Sequence, residues 1–228
     1  MDRESKDSSR SFNIWEQITH KLSYDSLSTK LPIFVEKLRG LDFSTEVQLD
    51  ELGLDPNLSV GYHPSGDRYL KQLLKSLKIS KQDRILDVGC GKGSAIHIML
   101  RFPFASVDGV EISEPLAEIA RRNFKILRVP AERTRITRMN AAKFTQFDPY
   151  NFVYLYNPFR RPVFRKVLGN LIDSLKRVPR NVTVIYNNPV CHEDVINSGF
   201  FELDSEHPNK WGNKIFIYKH KTPAGLNK

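Results

Sequence analysis

From residue 83 onward, short apolar runs alternate with longer amphipathic ones. RILDV (84–88), ASVDGVEI (105–112), RITRM (135–139), FVYLY (152–156) and VTVIY (182–186) have the length and β-branched or aromatic content of strands. The segments between them repeat apolar positions at helical spacing, as in Leu116, Ala120 and Phe124, or Phe164, Val167, Leu168, Leu171, Ile172 and Leu175. Such alternation predicts a doubly wound α/β fold, a mostly parallel sheet with helices on both faces. GFFEL (199–203) and KIFIY (214–218) break the rhythm, because the loop between them is too short for a crossover helix. They are expected to pair antiparallel, completing a seven-stranded sheet with a C-terminal hairpin.

Ahead of the sheet lie two helical patterns, Ile14, Trp15, Ile18 and Leu22, then Leu31, Phe34, Val35 and Leu38. An acidic stretch, LDFSTEVQLDELGLDPN, leads from these to Gly61-Tyr62-His63-Pro64-Ser65-Gly66-Asp67. Ser65 is placed to cap a helix whose inward stripe is Leu70, Leu73, Leu74 and Leu77. The chain thus divides into an N-terminal helical extension or cap over 1–60, its first ten polar residues expected to be disordered, and an α/β unit over 61–228.

Composition narrows the class. With 228 residues, 40% hydrophobic and 27% charged, the chain can bury one core of α/β size. No run approaches the roughly 18 apolar residues of a membrane span, and MDRESKDSSR lacks the apolar region of a signal peptide. A cytoplasmic protein with no membrane partner is expected. Cys90 and Cys191 are too few for a disulfide framework and lack zinc-site spacing, so both are read as free thiols. Consecutive Cys191, His192, Glu193 and Asp194 cannot converge on one ion; a helix start is the better reading, and no metal is expected.

Charge is uneven. Residues 1–60 hold seven Lys/Arg against eleven Asp/Glu, and the remaining residues hold 28 against 15, an acidic cap on a basic body. One basic cluster (Arg121, Arg122, Lys125, Arg128, Arg133, Arg135, Arg138) reads as a solvated face. The other, Arg160, Arg161, Arg165 and Lys166, follows a strand end directly.

The candidate chemistry sits at Asp87-Val88-Gly89-Cys90-Gly91-Lys92-Gly93-Ser94, a glycine turn between a strand and a helix. Glycines there let the backbone approach a ligand and let helix N–H groups face its polar parts. Glu111 ends the next strand 22 residues after Gly89, where an acid accepts hydrogen bonds from ribose hydroxyls in doubly wound folds. The spacing is Gly-x-Gly-x-Gly rather than the Gly-x-Gly-x-x-Gly of dinucleotide sites, and Lys92 is not at P-loop spacing.

ILDVGCGKG and VDGVEIS resemble the first and second motifs of class I S-adenosylmethionine-dependent methyltransferases, and the element order is similar over about residues 60–220. The strand ends Tyr-Asn-Pro-Phe and Tyr-Asn-Asn-Pro are also similar to those of uncharacterised bacterial members. The resemblance implies S-adenosylmethionine as cofactor. Asp87, Gly89, Cys90 and Gly91 would lie at its amino-acid end, Glu111 at the ribose hydroxyls, Ile112 against adenine, and Asn140 with Ala141 at the adenine edge. Tyr62, in an aromatic-x-Pro-Ser element similar to one in some protein-lysine methyltransferases, would cover the methionine end.

LYNPF (155–159) ends the fourth strand, beside the first, and so beside the expected methyl donor. It is similar to the [Asp/Asn/Ser]-Pro-Pro-[Tyr/Phe] motif of amine-directed members, with one proline fewer. That likeness implies that Asn157 and Phe159 position the acceptor, with Asn157 also near the cofactor. Arg160 and Arg161 would stand at the rim, suited to an anionic group. IYNNP (185–189) ends the fifth strand, where Asn187 either shapes the acceptor pocket or closes a turn. The expected activity is methyl transfer to an amine or hydroxyl of an unidentified, anionic acceptor. The alternatives are a protein-lysine methyltransferase and a non-catalytic basic module binding cofactor or nucleic acid, the last resting on charge alone.

Overall fold

The computed structural model describes residues 33–221. The five parallel strands are β1 (Arg84–Val88), β2 (Ser106–Glu111), β3 (Ile136–Arg138), β4 (Phe152–Tyr156) and β5 (Thr183–Asn187). The last two are β6 (Phe201–Pro208) and β7 (Lys214–His220), and the sheet order is β3-β2-β1-β4-β5-β7-β6. β1 to β5 are parallel, whereas β7 runs antiparallel to both β5 and β6. The expected doubly wound sheet and its hairpin are therefore present, with strand limits shifted by a residue or two at most ends. The hairpin strands run longest past the expectation, because their outer residues alternate polar and apolar and were not counted as apolar runs.

Alternation along the strands sends side chains to two cores. Ile85, Val107, Tyr154 and Ile185 face the helices α1 (Arg68–Ser76), α2 (Ser94–Met99) and α3 (Glu114–Ile126). Leu86, Val110, Leu155 and Tyr186 face α4 (Arg161–Arg177) and α5 (His192–Asn197). The predicted stripes of α1, α3 and α4 face the cores, with Leu77, just past the end of α1, and Leu168 and Ile172 of α4 only partly buried. Ser113 caps α3, its Oγ accepting from Leu116 N, with proline in the first turn as expected.

α1 starts differently from the expectation. Its cap is Asp67, whose Oδ1 accepts from Tyr69 N at 2.9 Å and Leu70 N at 3.0 Å, not Ser65. The cause is tertiary: Gly66 N donates to Ser94 Oγ at 2.9 Å, tying the chain to α2 before the helix can begin.

Of the expected N-terminal helices, the first lies outside the described residues, as does Leu31 of the second; residues 33–38 are helical. Residues 41–62 form a turn-rich strap over the carboxyl ends of the strands. Asn123 of α3 holds it from both sides, accepting from Asp42 N at 3.0 Å and donating to Asp42 O at 2.9 Å. Phe43 stacks on His97, 4.9 Å between centroids. The far end pairs Val47 with Tyr62 and Ser59 with Phe159.

Candidate functional site

A cleft opens where β1, β2 and β4 end, closed above by the strap. Gly89 and Gly91 line its floor at φ 84° and 52°, and both have neighbours too close for any other residue. A Cβ on Gly89 would stand 2.3 Å from Pro158 Cβ, and one on Gly91 would stand 2.2 Å from the Tyr62 ring. The glycines thus admit a proline from β4 on one side and a tyrosine from the strap on the other. Loop amides expected to face a ligand turn inward: Gly89 N and Cys90 N donate to Val110 O, and Gly91 N donates to Glu111 Oε2. Polar recognition in the cleft therefore falls mainly to side chains.

Glu111 is 6% exposed and keeps one bond on each oxygen, from Gly91 N at 2.9 Å and Ser113 N at 2.8 Å. Each oxygen retains accepting capacity toward the cleft. Burial raises its pKa, opposed by those backbone donors. Asp87 lies deeper, and its pKa is pushed well up by burial and then by the neighbouring Glu111 carboxylate. The Cys90 thiol is likewise pushed up by burial and is not a reactive group.

Tyr62, Gly89, Cys90, Gly91, Glu111, Ile112, Asn140, Ala141, Asn157 and Phe159 all line this one cleft. Asp87 sits behind the lining. Asn140 caps a short turn, its Oδ1 accepting from Ala142 N at 2.9 Å. Phe159 is buried against the second core and paired with Ser59. Arg160 and Arg161 lie outside the lining; Arg160 N donates to Leu58 O, and Arg161 pairs with Asp194 at 3.0 Å. No group of residues among those described has the ligands of a metal site.

Asn157 has φ 38° and Asn188 φ 54°, left-handed backbone that asparagine tolerates better than most residues. Tyr156 pairs with Asn187 in the parallel register, so the counterpart of Asn157 is Asn188, which also lines the cleft. Asn187 points elsewhere, bonded to Tyr154 and Asn209.

Several residues here were not legible as functional. Lys92 is 2% exposed, and its ammonium donates to Asp42 Oδ2 at 2.7 Å and Thr45 O at 2.9 Å, 5.5 Å from the Tyr62 ring centroid. It anchors the strap. His63 lines the cleft with Nδ1 3.3 Å from Glu46. Their only sequence signal was proximity to a motif, since the partners come from separate segments.

The residues fit S-adenosylmethionine: a buried carboxylate with free accepting capacity, an apolar neighbour in Ile112, and a strap that lies over the cleft. The family model described as a methyltransferase domain matches residues 85–178. No curated protein matches the sequence. Among solved structures, a proposed methyltransferase of Escherichia coli, yhhF, is 18% identical with TM-score 0.53, covering 69% of this chain and 88% of that one. The ribosomal protein L11 methylase of Lactobacillus delbrueckii subsp. bulgaricus is 16% identical with TM-score 0.53, covering 74% and 84%. A TehB-like S-adenosylmethionine-dependent methyltransferase of Corynebacterium glutamicum is 14% identical with TM-score 0.50, covering 68% and 89%. Likeness at this identity speaks to the fold, and the family match speaks to the domain. Over residues 85–178 this chain thus matches a methyltransferase domain, carried on the fold of the S-adenosylmethionine-dependent methyltransferases it resembles.

Proposed function

We propose that the cleft holds S-adenosylmethionine with its ribose hydroxyls on Glu111 and its adenine between Ile112 and the Asn140-Ala141 edge. The amino-acid end lies toward Asp87, Gly89, Cys90 and Gly91, beneath Tyr62, and the acceptor is an amine or hydroxyl presented at Asn157. One observation carries this reading: Glu111, the glycine loop and Asn157 converge on a single cleft although they come from three separate strand ends. When bound, the cofactor supplies an electrophilic methyl carbon.

The chain's own residues supply placement. Asn157, held rigidly by its left-handed backbone and by Pro158 against Gly89, offers a side-chain acceptor that orients an acceptor N–H or O–H. Phe159 keeps the strap end in place through its pairing with Ser59 and so limits the cleft on the acceptor side. Arg160, exposed beside Pro56, is the cation available to an anionic acceptor group, whereas Arg161 is shared with Asp194.

The test has two parts. Calorimetric titration with S-adenosylhomocysteine is expected to show one site, and Glu111→Ala is expected to remove it. Incubation with labelled cofactor and fractionated cell extract then identifies the acceptor class. Asn157→Ala should lower transfer by about 100-fold with cofactor affinity retained; full transfer by this variant would sink the positioning role.

A further inference from the structure

The tip of the β6–β7 hairpin has a construction that joining two strands does not require. Asn209 is 4% exposed; its Nδ2 donates to Asn187 Oδ1 at 2.7 Å, and its Oδ1 accepts from Trp211 N at 2.9 Å. Asn187, 3% exposed, donates to the Tyr154 hydroxyl at 3.2 Å, which Ser65 of the cleft also faces. A buried polar chain therefore runs from the cleft to the hairpin tip. Such chains are stable only when every member is satisfied, so this one sets the tip in a single position.

What is set there is Trp211. Trp211 stands next to the cleft mouth: Asn188, which lines the cleft, donates its N–H to Lys214 O at 2.9 Å, at the base of the same tip. The Trp211 residue is nonetheless 57% exposed, and the Lys210 ammonium stands 4.6 Å from the ring centroid. An exposed indole locked at the rim of a cleft and accompanied by a cation suits a planar ring attached to an anion. Stacking on an aromatic face and charge on a neighbouring phosphate are how nucleobases are held without reading their edges. The surplus of Lys/Arg over residues 61–228, 28 against 15 Asp/Glu, points the same way.

We propose that Trp211 and Lys210 form the acceptor-recognition rim and that the acceptor is a phosphate-bearing nucleobase. Trp211 stacks on the base, Lys210 meets the phosphate, and Asn187 is a positioning residue acting through Asn209. This rests on the reading of Asn157 as the acceptor end of the cleft. Two sources share the chemistry, a free nucleotide and a single-stranded RNA.

The chain has two tryptophans, so Trp15→Phe leaves Trp211 as the sole reporter of fluorescence. The full chain saturated with S-adenosylhomocysteine is titrated with nucleoside 5′-monophosphates and, separately, with a mixed-sequence single-stranded RNA. Saturable quenching is expected; quenching by monophosphates alone assigns a free nucleotide, and tighter, salt-sensitive quenching by RNA assigns a strand. In the wild-type background, Trp211→Ala should weaken binding of fluorescently labelled RNA or nucleotide about tenfold, and Trp211→Phe should recover most of it. Asn187→Ala should raise KM for the acceptor more than it lowers kcat, with S-adenosylhomocysteine affinity unchanged. Absence of quenching by either probe while S-adenosylhomocysteine still binds, or wild-type binding by Trp211→Ala, would overturn the inference alone. Failure of S-adenosylhomocysteine to bind would overturn the cofactor reading and this inference with it.

Discussion

At the scale of single residues, the site is built from groups that the fold holds away from their ordinary behaviour. Asp87 keeps a proton in the native state over a range in which the unfolded chain, with an ordinary value near 3.8, has lost it. Stability contributed at this position is therefore greatest at low pH and falls as pH rises through the window between that value and the raised one. Asp87→Asn is expected to raise Tm above that window, by roughly 2–4 °C per kcal/mol recovered, while weakening S-adenosylhomocysteine. A melting series across pH checks the sign; a variant less stable than wild type at neutral pH would contradict it. An ammonium-bearing ligand end beside Asp87 would favour the ionised acid, so binding within that window should release protons, readable by calorimetry in buffers of different ionisation enthalpy. Gly91→Ala combines a strained φ with a collision against Tyr62 and should destabilise the fold by about 2 kcal/mol or more. Asn157 was legible as a functional candidate because a strand end and a motif both marked it. The pairing of Asn157 with Asn188 was not, because the matching letters Tyr-Asn lie one residue out of structural register.

At the scale of elements, the strands and helices of the sheet other than the three-residue β3 were legible because each shows its own period over five to seventeen residues. The strap was not, since turn-rich chain has no period and, besides the nearby Glu36 carboxylate that holds Phe43 and Ser44, its anchors are distant: Lys92 lies 50 residues from Asp42, and Asn123 lies 81. A lysine in a glycine loop reads naturally as a ligand group, and only the packed chain shows that Asp42 and Thr45 occupy it. Lys92→Met removes a buried charged hydrogen bond, a loss of about 2 kcal/mol local to the strap. Amide exchange over residues 41–47 should accelerate and S-adenosylhomocysteine affinity should fall, with the sheet's exchange unchanged; unaltered exchange in the strap would argue against its anchoring role. The hairpin tip is a second case, its position set by Asn187 through a contact across 22 residues.

At the scale of the whole molecule, the cleft brings together parts that are otherwise separate: the ends of β1, β2 and β4 below and the strap above. Binding to the native state alone stabilises by mass action, about 2.7 kcal/mol at a hundredfold excess over Kd. A Tm increase of several degrees with S-adenosylhomocysteine is expected, and Glu111→Gln should reduce it sharply; an equal increase in the variant would remove Glu111 from the site. Among the described residues no helix is long and apolar enough to cross a membrane. By itself the sequence determined the order and kind of the elements, the antiparallel hairpin, the glycine loop and the acid after β2. All of these are written in local periodicity and in motif spacing along one strand-turn-helix unit. Only the tertiary structure decided that the loop amides turn inward, that Lys92 serves the strap, that Asp67 and not Ser65 begins α1, and that Asn187 holds Asn209 at the hairpin tip. Each of those depends on which distant segment arrives to satisfy a buried donor or fill a space. Long-range contacts of that kind leave no local pattern to read.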